Sequence, residues 1–149
     1  MTIAETVPAI IATPLITTAI PRIGTFWAEQ GGVYAGIVAG KKGAPDYHLI
    51  HATSEHEIFD ADWQGAIEAA QAPINGHSDW SLPDRREARL LAINCRDSFD
   101  LDEWYWTASQ VAHNASCAWM QYFDGGNQYD LGKSYHYRAR AVRRLSIIE

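Results

Sequence analysis

The sequence predicts an α+β domain behind an extended amino-terminal arm. Three observations carry this: a block of β-branched and aromatic runs before residue 52, two segments of helical spacing between residues 61 and 95, and a return to strand-like pattern after residue 103. A chain of 149 residues with 47% hydrophobic and 20% charged content suits one domain able to close a core.

Residues 1–21 are set apart by their composition. Ile, Ala, Val and Thr dominate, charge is nearly absent, and Pro8, Pro14 and Pro21 forbid a continuous helix. The segment reads as an arm whose Ile10, Ile11, Leu15, Ile16 and Ile20 need cover, either from their own domain or by strand addition to a neighbouring copy or particle. Its beginning carries no positive charge and its apolar stretch is broken by proline, so neither a secretory signal nor a bilayer span is expected. Synthesis in a bacterial host cytoplasm, with later incorporation into a virion, is the expected address.

Residues 22–149 hold the domain proper. Ile23 to Trp27, Val33 to Val38 and Tyr47 to His51 read as a β-meander, with turns at Gly31-Gly32 and across Lys41 to Asp46. Residues 61–72 take helical spacing, with Trp63, Ala66, Ile67 and Ala70 on one face and Pro73 as the stop. A second helix follows Leu82-Pro83, where Asp84 and Glu87 have the spacing of a capping box and Leu90, Leu91 and Ile93 supply the apolar face. Strands are then expected over Trp104 to Thr107, Ala118 to Phe123 and Ser134 to Leu145, the last two joined across Asp124-Gly125-Gly126-Asn127. Trp80, Leu82, Trp104, Trp106 and Trp119 are expected in the core.

The net charge of -6 argues against non-specific attraction to a phosphate backbone, so nucleic acid is not expected as a partner. The charge is uneven, because Arg138, Arg140, Arg143 and Arg144 crowd the carboxyl end, and these are expected to pair with acidic residues of the same fold. Cys95 and Cys117 are too few for a disulfide framework, and the sequence leaves open either one bridge or two buried thiols.

The segment from Gly76 through His77, Ser78, Asp79, Trp80, Ser81, Leu82, Pro83, Asp84, Arg85 and Arg86 to Glu87 resembles the GHSDWRLPTRRE signature of a phage and bacterial family of Lcl C-terminal-like domains. Trp104 to Ser109 resembles its YWSSS element, and Ala118 to Phe123 with Lys133 to Arg144 resembles its closing hairpin. The likeness covers about residues 22–145. It implies a C-type-lectin-like fold, two helices packed on a twisted antiparallel sheet, related to formylglycine-generating enzymes and to retroelement variable proteins. It also implies a ligand face near the carboxyl-terminal strands.

Enzymatic chemistry is not expected, and no catalytic residue, metal ligand or cofactor is assigned. His77, Ser78 and Asp79 are adjacent in sequence, whereas a triad must converge in space, and Trp80 stands where a nucleophile elbow needs glycine. His48 and His51 point to opposite faces of a strand, and with His56 they are read as solvated polar residues. Asp124, Asn127 and Asp130 supply too few oxygens for calcium. The expected binding surface is Gln110, His113, Asn114, Gln121, Asn127, Gln128, Tyr129, Asp130, Lys133, Tyr135, His136 and Tyr137, whose mixture of tyrosine with short polar groups resembles a paratope for a protein or glycan. A small acidic inhibitor of a host defence complex is the second reading, and an enzyme the third.

Overall fold

A computed structural model describes residues 19–147. The four arm residues Ile10, Ile11, Leu15 and Ile16 lie outside that range. Ile20 lies within it and is exposed.

The described residues form an α+β fold of two sheets and two α-helices. Strands β1 (Phe26–Trp27), β2 (Gly32–Val38), β3 (Tyr47–His51) and β9 (Val142–Ser146) make an antiparallel sheet in that spatial order. The second sheet runs β4 (Ile58–Ala61), β8 (Tyr137–Ala139), β5 (Trp104–Gln110), β6 (Cys117–Tyr122) and β7 (Gln128–Gly132), antiparallel except where β5 and β8 meet at Tyr105 and Arg138. Pairing of β3 with β9, from Tyr47 opposite Ser146 to His51 opposite Val142, ties the early meander to the end of the chain. Within the meander, β2 carries a bulge between Tyr34 and Gly36, and Gly36 takes the φ of +118° that the bulge imposes.

Helix α1 (Trp63–Ala69) begins where the Asp62 carboxylate accepts from the Gly65 amide at 2.8 Å, and it buries Ala66. Helix α2 (Arg85–Asn94) has the expected capping box: Asp84 accepts from the Glu87 amide, and Glu87 accepts from the Asp84 amide, both at 2.8 Å. Its inward face is not the one the spacing suggested. Ala88, Leu91 and Ala92 are buried, whereas Ile93 is 71% exposed. Leu91 to Ile93 is a step of two residues, about 200° around a helix, so both cannot face one core. Accordingly, Asp84→Ala is expected to cost about 1 kcal/mol and Ile93→Ala less than about 0.5 kcal/mol, as read by urea denaturation.

Two more expectations are corrected. The strand foreseen over residues 134–145 is broken at Arg140, and its halves β8 and β9 belong to different sheets. Strands change sheets at bends of this kind. Here Arg140 turns its guanidinium inward, while the Ala141 carbonyl accepts from the Ala52 amide. The missing strand partner is β7, which pairs with β6 across residues 124–127 in a region too polar to read as a strand.

Likewise, His48 and His51 are buried rather than solvated. Strand β3 is interior to its sheet and covered on both faces, as the near-continuous apolar run of a two-sided strand would be. The Tyr34 hydroxyl and His48 Nδ1 are hydrogen-bonded at 2.8 Å beneath Trp27, and burial lowers the His48 pKa.

One hydrophobic cluster gathers Trp27, Ile50, Trp80, Leu82, Trp106 and Met120; the other gathers Leu49, Leu91, Phe99, Tyr105 and Phe123 under α2. Trp80 and Leu82 are core residues as expected. Trp104 and Trp119 are only partly buried.

Candidate functional site

The β6–β7 hairpin divides the residues expected to bind between its two faces. Met120 lies opposite Tyr129 and Gln121 opposite Gln128, so by strand alternation Tyr129 shares one face with Tyr122, while Gln121 and Gln128 share the other. On the first face, the Trp104 ring centre lies 4.7 Å from that of Tyr122 in a tilted pair and 5.3 Å from that of Tyr129 in an edge-to-face pair. Tyr129 is 53% exposed and stands at its outer edge. Trp104 and Tyr122 were not among the expected binding residues. An alternating Trp-x-Trp strand is read as core, and only the pairing with β6 and β7 shows that its first tryptophan lies at an open end.

On the second face, Gln121 is fully buried and leaves the expected surface. Its Oε1 accepts from Gln128 Nε2 at 2.7 Å, and its own Nε2 donates to the Tyr122 and Asn127 carbonyls. It is an interior polar residue whose hydrogen bonds are made within the hairpin.

Beyond the hairpin, Tyr135 is 59% exposed and lies over Gly132. His136 Nδ1 meets Asp60 Oδ1 at 3.1 Å, and Lys133 Nζ donates to Gln110 Oε1 at 2.6 Å while lying over the Trp63 ring. Tyr137 packs edge-on against Trp106. His113 and Asp130 are exposed, as is Asn127, whose backbone carbonyl accepts from the Tyr122 amide. Asn114 holds its own turn, its Oδ1 accepting from the Ser116 amide and hydroxyl.

A cleft of about 450 Å3 lies elsewhere, lined among others by His51, Glu57, Phe59, Asp100, Arg138 and Arg140. Beneath it, Arg140 Nε donates to Glu57 Oε1 at 2.6 Å, the Tyr105 hydroxyl donates to Oε2 at 2.5 Å, and Arg138 Nη1 reaches Oε2 at 3.3 Å. Arg140 also donates to the Ala52 and Ser98 carbonyls and lies over the Phe99 ring. Every oxygen and guanidinium edge of this pair is occupied inside the fold.

His51 adjoins the same cluster. Its Nδ1 donates to the Ala52 carbonyl at 2.7 Å, which leaves Nε2 as the unprotonated nitrogen of a neutral ring, without a partner among the described residues. Burial pushes its pKa down to about 4.

The arginine-rich end pairs internally, as expected. Arg143 Nε meets Asp79 at 2.5 Å, and that guanidinium holds the Asp79 carboxyl below its ordinary pKa. Arg144 grips Glu87 through Nε and Nη2, both at 2.7 Å. Burial would raise the Glu87 carboxyl, but Arg144 and the Tyr47 hydroxyl outweigh it and hold the pKa low. Thus the Gly76–Glu87 signature works as a clamp: Asp79 and Glu87 bind two arginines of β9, and His77 Nε2 donates to the Glu29 carbonyl.

The two cysteines are free thiols, with burial pushing the Cys95 pKa up to about 11. Asp124 is held by Arg96 at 2.7 Å. Among the described residues no three His, Cys, Asp or Glu side chains are grouped to hold a metal ion, and no helix is long and apolar enough to cross a membrane.

These features define a small α+β domain in which Glu57, Asp79 and Glu87 hold the arginines of its carboxyl-terminal segment, with an aromatic group left at the open end of one sheet. The chain belongs to the Lcl C-terminal domain family, whose model matches residues 24–143. No curated protein matches it significantly.

Proposed function

We propose that this chain is a non-catalytic binding module of C-type-lectin-like architecture, of phage or prophage origin, that presents its carboxyl-terminal hairpin to a protein or glycan. The observation that carries this reading is the Trp104, Tyr122 and Tyr129 group at the edge of the β5–β6–β7 sheet, with Tyr129 and, farther along, Tyr135 open to solvent. Rigid aromatics give contact area at small entropic cost, and the exposed Asn127 at the turn of the same hairpin supplies adaptable hydrogen bonds. Two helices against mainly antiparallel sheets support the lectin-like architecture. The absence of catalysis is supported by the way Glu57, Glu87 and Asp79 are each committed to an arginine of the same fold.

Residues 1–21 supply the assembly half of this reading: their apolar side chains join the module to a neighbouring copy or to a virion. Deleting residues 1–20 is expected to lower the mass measured by light scattering, and an unchanged mass would remove the arm from the reading.

The binding half is tested by capturing partners from host envelope and cytosol with the tagged chain and with a Tyr129→Ala, Tyr135→Ala, His136→Ala variant. Because these side chains are exposed or only edge-packed, the variant is expected to keep its melting temperature within about 4 °C. Loss of a surface or virion partner by the folded variant supports the receptor or assembly role. A cytosolic defence complex bound equally by both proteins would replace it with an inhibitor.

A further inference from the structure

Not every cation of this acidic chain is paired. Arg96, Arg138, Arg140, Arg143 and Arg144 each meet a carboxylate within 4.0 Å; besides Arg22, Lys42 and Lys133, the cations Arg85, Arg86, Arg89 and Lys41 meet none among the described residues. Arg85, Arg86, Arg89 and Lys41 line one concavity of about 340 Å3, together with Asp84 and Ser109. Four cations against one carboxylate leave the hollow net positive in a chain of net charge -6.

The arrangement is built rather than incidental. Arg85 lies with its guanidinium 3.6 Å from the Trp119 ring centre, which fixes its plane. Arg85 Nε and Arg89 Nη2 converge on a single neutral acceptor, Gln128 Oε1, at 3.1 and 2.8 Å. Arg86 anchors Nη1 on the Ala39 carbonyl, and its buried Nε finds no acceptor among the described residues. Ser109 Oγ accepts from the Arg85 amide, so its hydroxyl proton remains available. The one acid, Asp84, is turned to the amide of Glu87 as the helix cap.

Like charges held this close cost free energy unless an anion relieves them, and planar guanidinium groups match the oxygens of tetrahedral oxyanions. We infer that this hollow at the start of α2 is a binding site for a phosphate or sulfate group, held by Arg85, Arg86, Arg89 and Lys41. It lies on the Gln128 side of the hairpin, away from the Tyr129 face, so it stands independently of the binding role proposed above.

The test is calorimetric titration of the full chain with inorganic pyrophosphate, repeated with a sulfated disaccharide to separate a free anion from an ester carried on sugar. One saturable site is expected, weakening with added salt. Arg89→Glu and Lys41→Glu, both at exposed side chains, are each expected to weaken it by about tenfold or more, the effect of one charge-assisted contact. Arg22→Glu reverses an exposed charge outside the hollow and is expected to leave binding unchanged. Tighter binding of the disaccharide assigns the ester, and tighter binding of pyrophosphate the free anion. Heat without saturation, or equal weakening by Arg22→Glu, overturns the site.

Discussion

Glu57→Ala is expected to destabilise the domain by about 3–5 kcal/mol, the cost of leaving a buried charge without its partner. The side chains of Glu57 and Arg140 are 4% and 3% exposed, and the carboxylate receives Arg140, Arg138 and the Tyr105 hydroxyl together. Removing it strands the Arg140 cation, its side chain 3% exposed, among two carbonyls and the Phe99 ring. Because folded domains of this size hold about 5–15 kcal/mol, the loss takes a large fraction of the total. It should shift a urea midpoint by at least about 1 M. Replacing both residues, as Glu57→Met with Arg140→Met, removes the desolvation cost together with the attraction and is expected to recover most of the stability. A loss below about 1 kcal/mol in Glu57→Ala would mean that Arg140 finds solvent, and the account of the Glu57–Arg140 pair as the joint between the sheets would fail.

That joint also explains what could be read in advance. The capping box at Asp84 and Glu87, the meander before residue 52 and the internal pairing of the carboxyl-terminal arginines were legible, because local spacing or charge balance decides each. The break at Arg140 was not. A strand pattern records alternation along the chain, whereas the change of sheet depends on Glu57 and Ser98 being brought beneath that one residue by elements far away in sequence. The same limit applies to the hairpin. Composition marked Tyr129 and Gln121 alike as surface residues, but burial depends on which face α2 covers, and register with β5 and β7 places them on opposite sides. His51 was misread because a buried two-sided strand can carry a polar residue whenever one hydrogen bond and a neutral ring suffice.

The neutral ring of His51 carries the second large prediction, a loss of stability on mild acidification. Unfolded, the imidazole titrates near its ordinary 6.5; folded, burial pushes it down to about 4. Between those values the unfolded chain binds a proton that the folded chain refuses, so unfolding free energy rises with pH across the window. Stability is therefore fully present above about pH 6.5 and is lost as the pH falls toward 4. A gap of this size corresponds to about 3 kcal/mol. His48, whose pKa is also lowered, adds in the same direction. Asp79 and Glu87 add a separate loss at lower pH, as their depressed carboxyls finally protonate and release Arg143 and Arg144. His51→Asn can keep a donor to the Ala52 carbonyl while removing the titrating ring. It is expected to be less stable than the parent at pH 7 yet to show a visibly flatter dependence between pH 6.5 and 4.5 in denaturant titrations. An unchanged slope in His51→Asn, or a His51 ring that titrates near 6.5 by NMR in the folded chain, would show that the ring is hydrated and that its unpartnered Nε2 is reached by water.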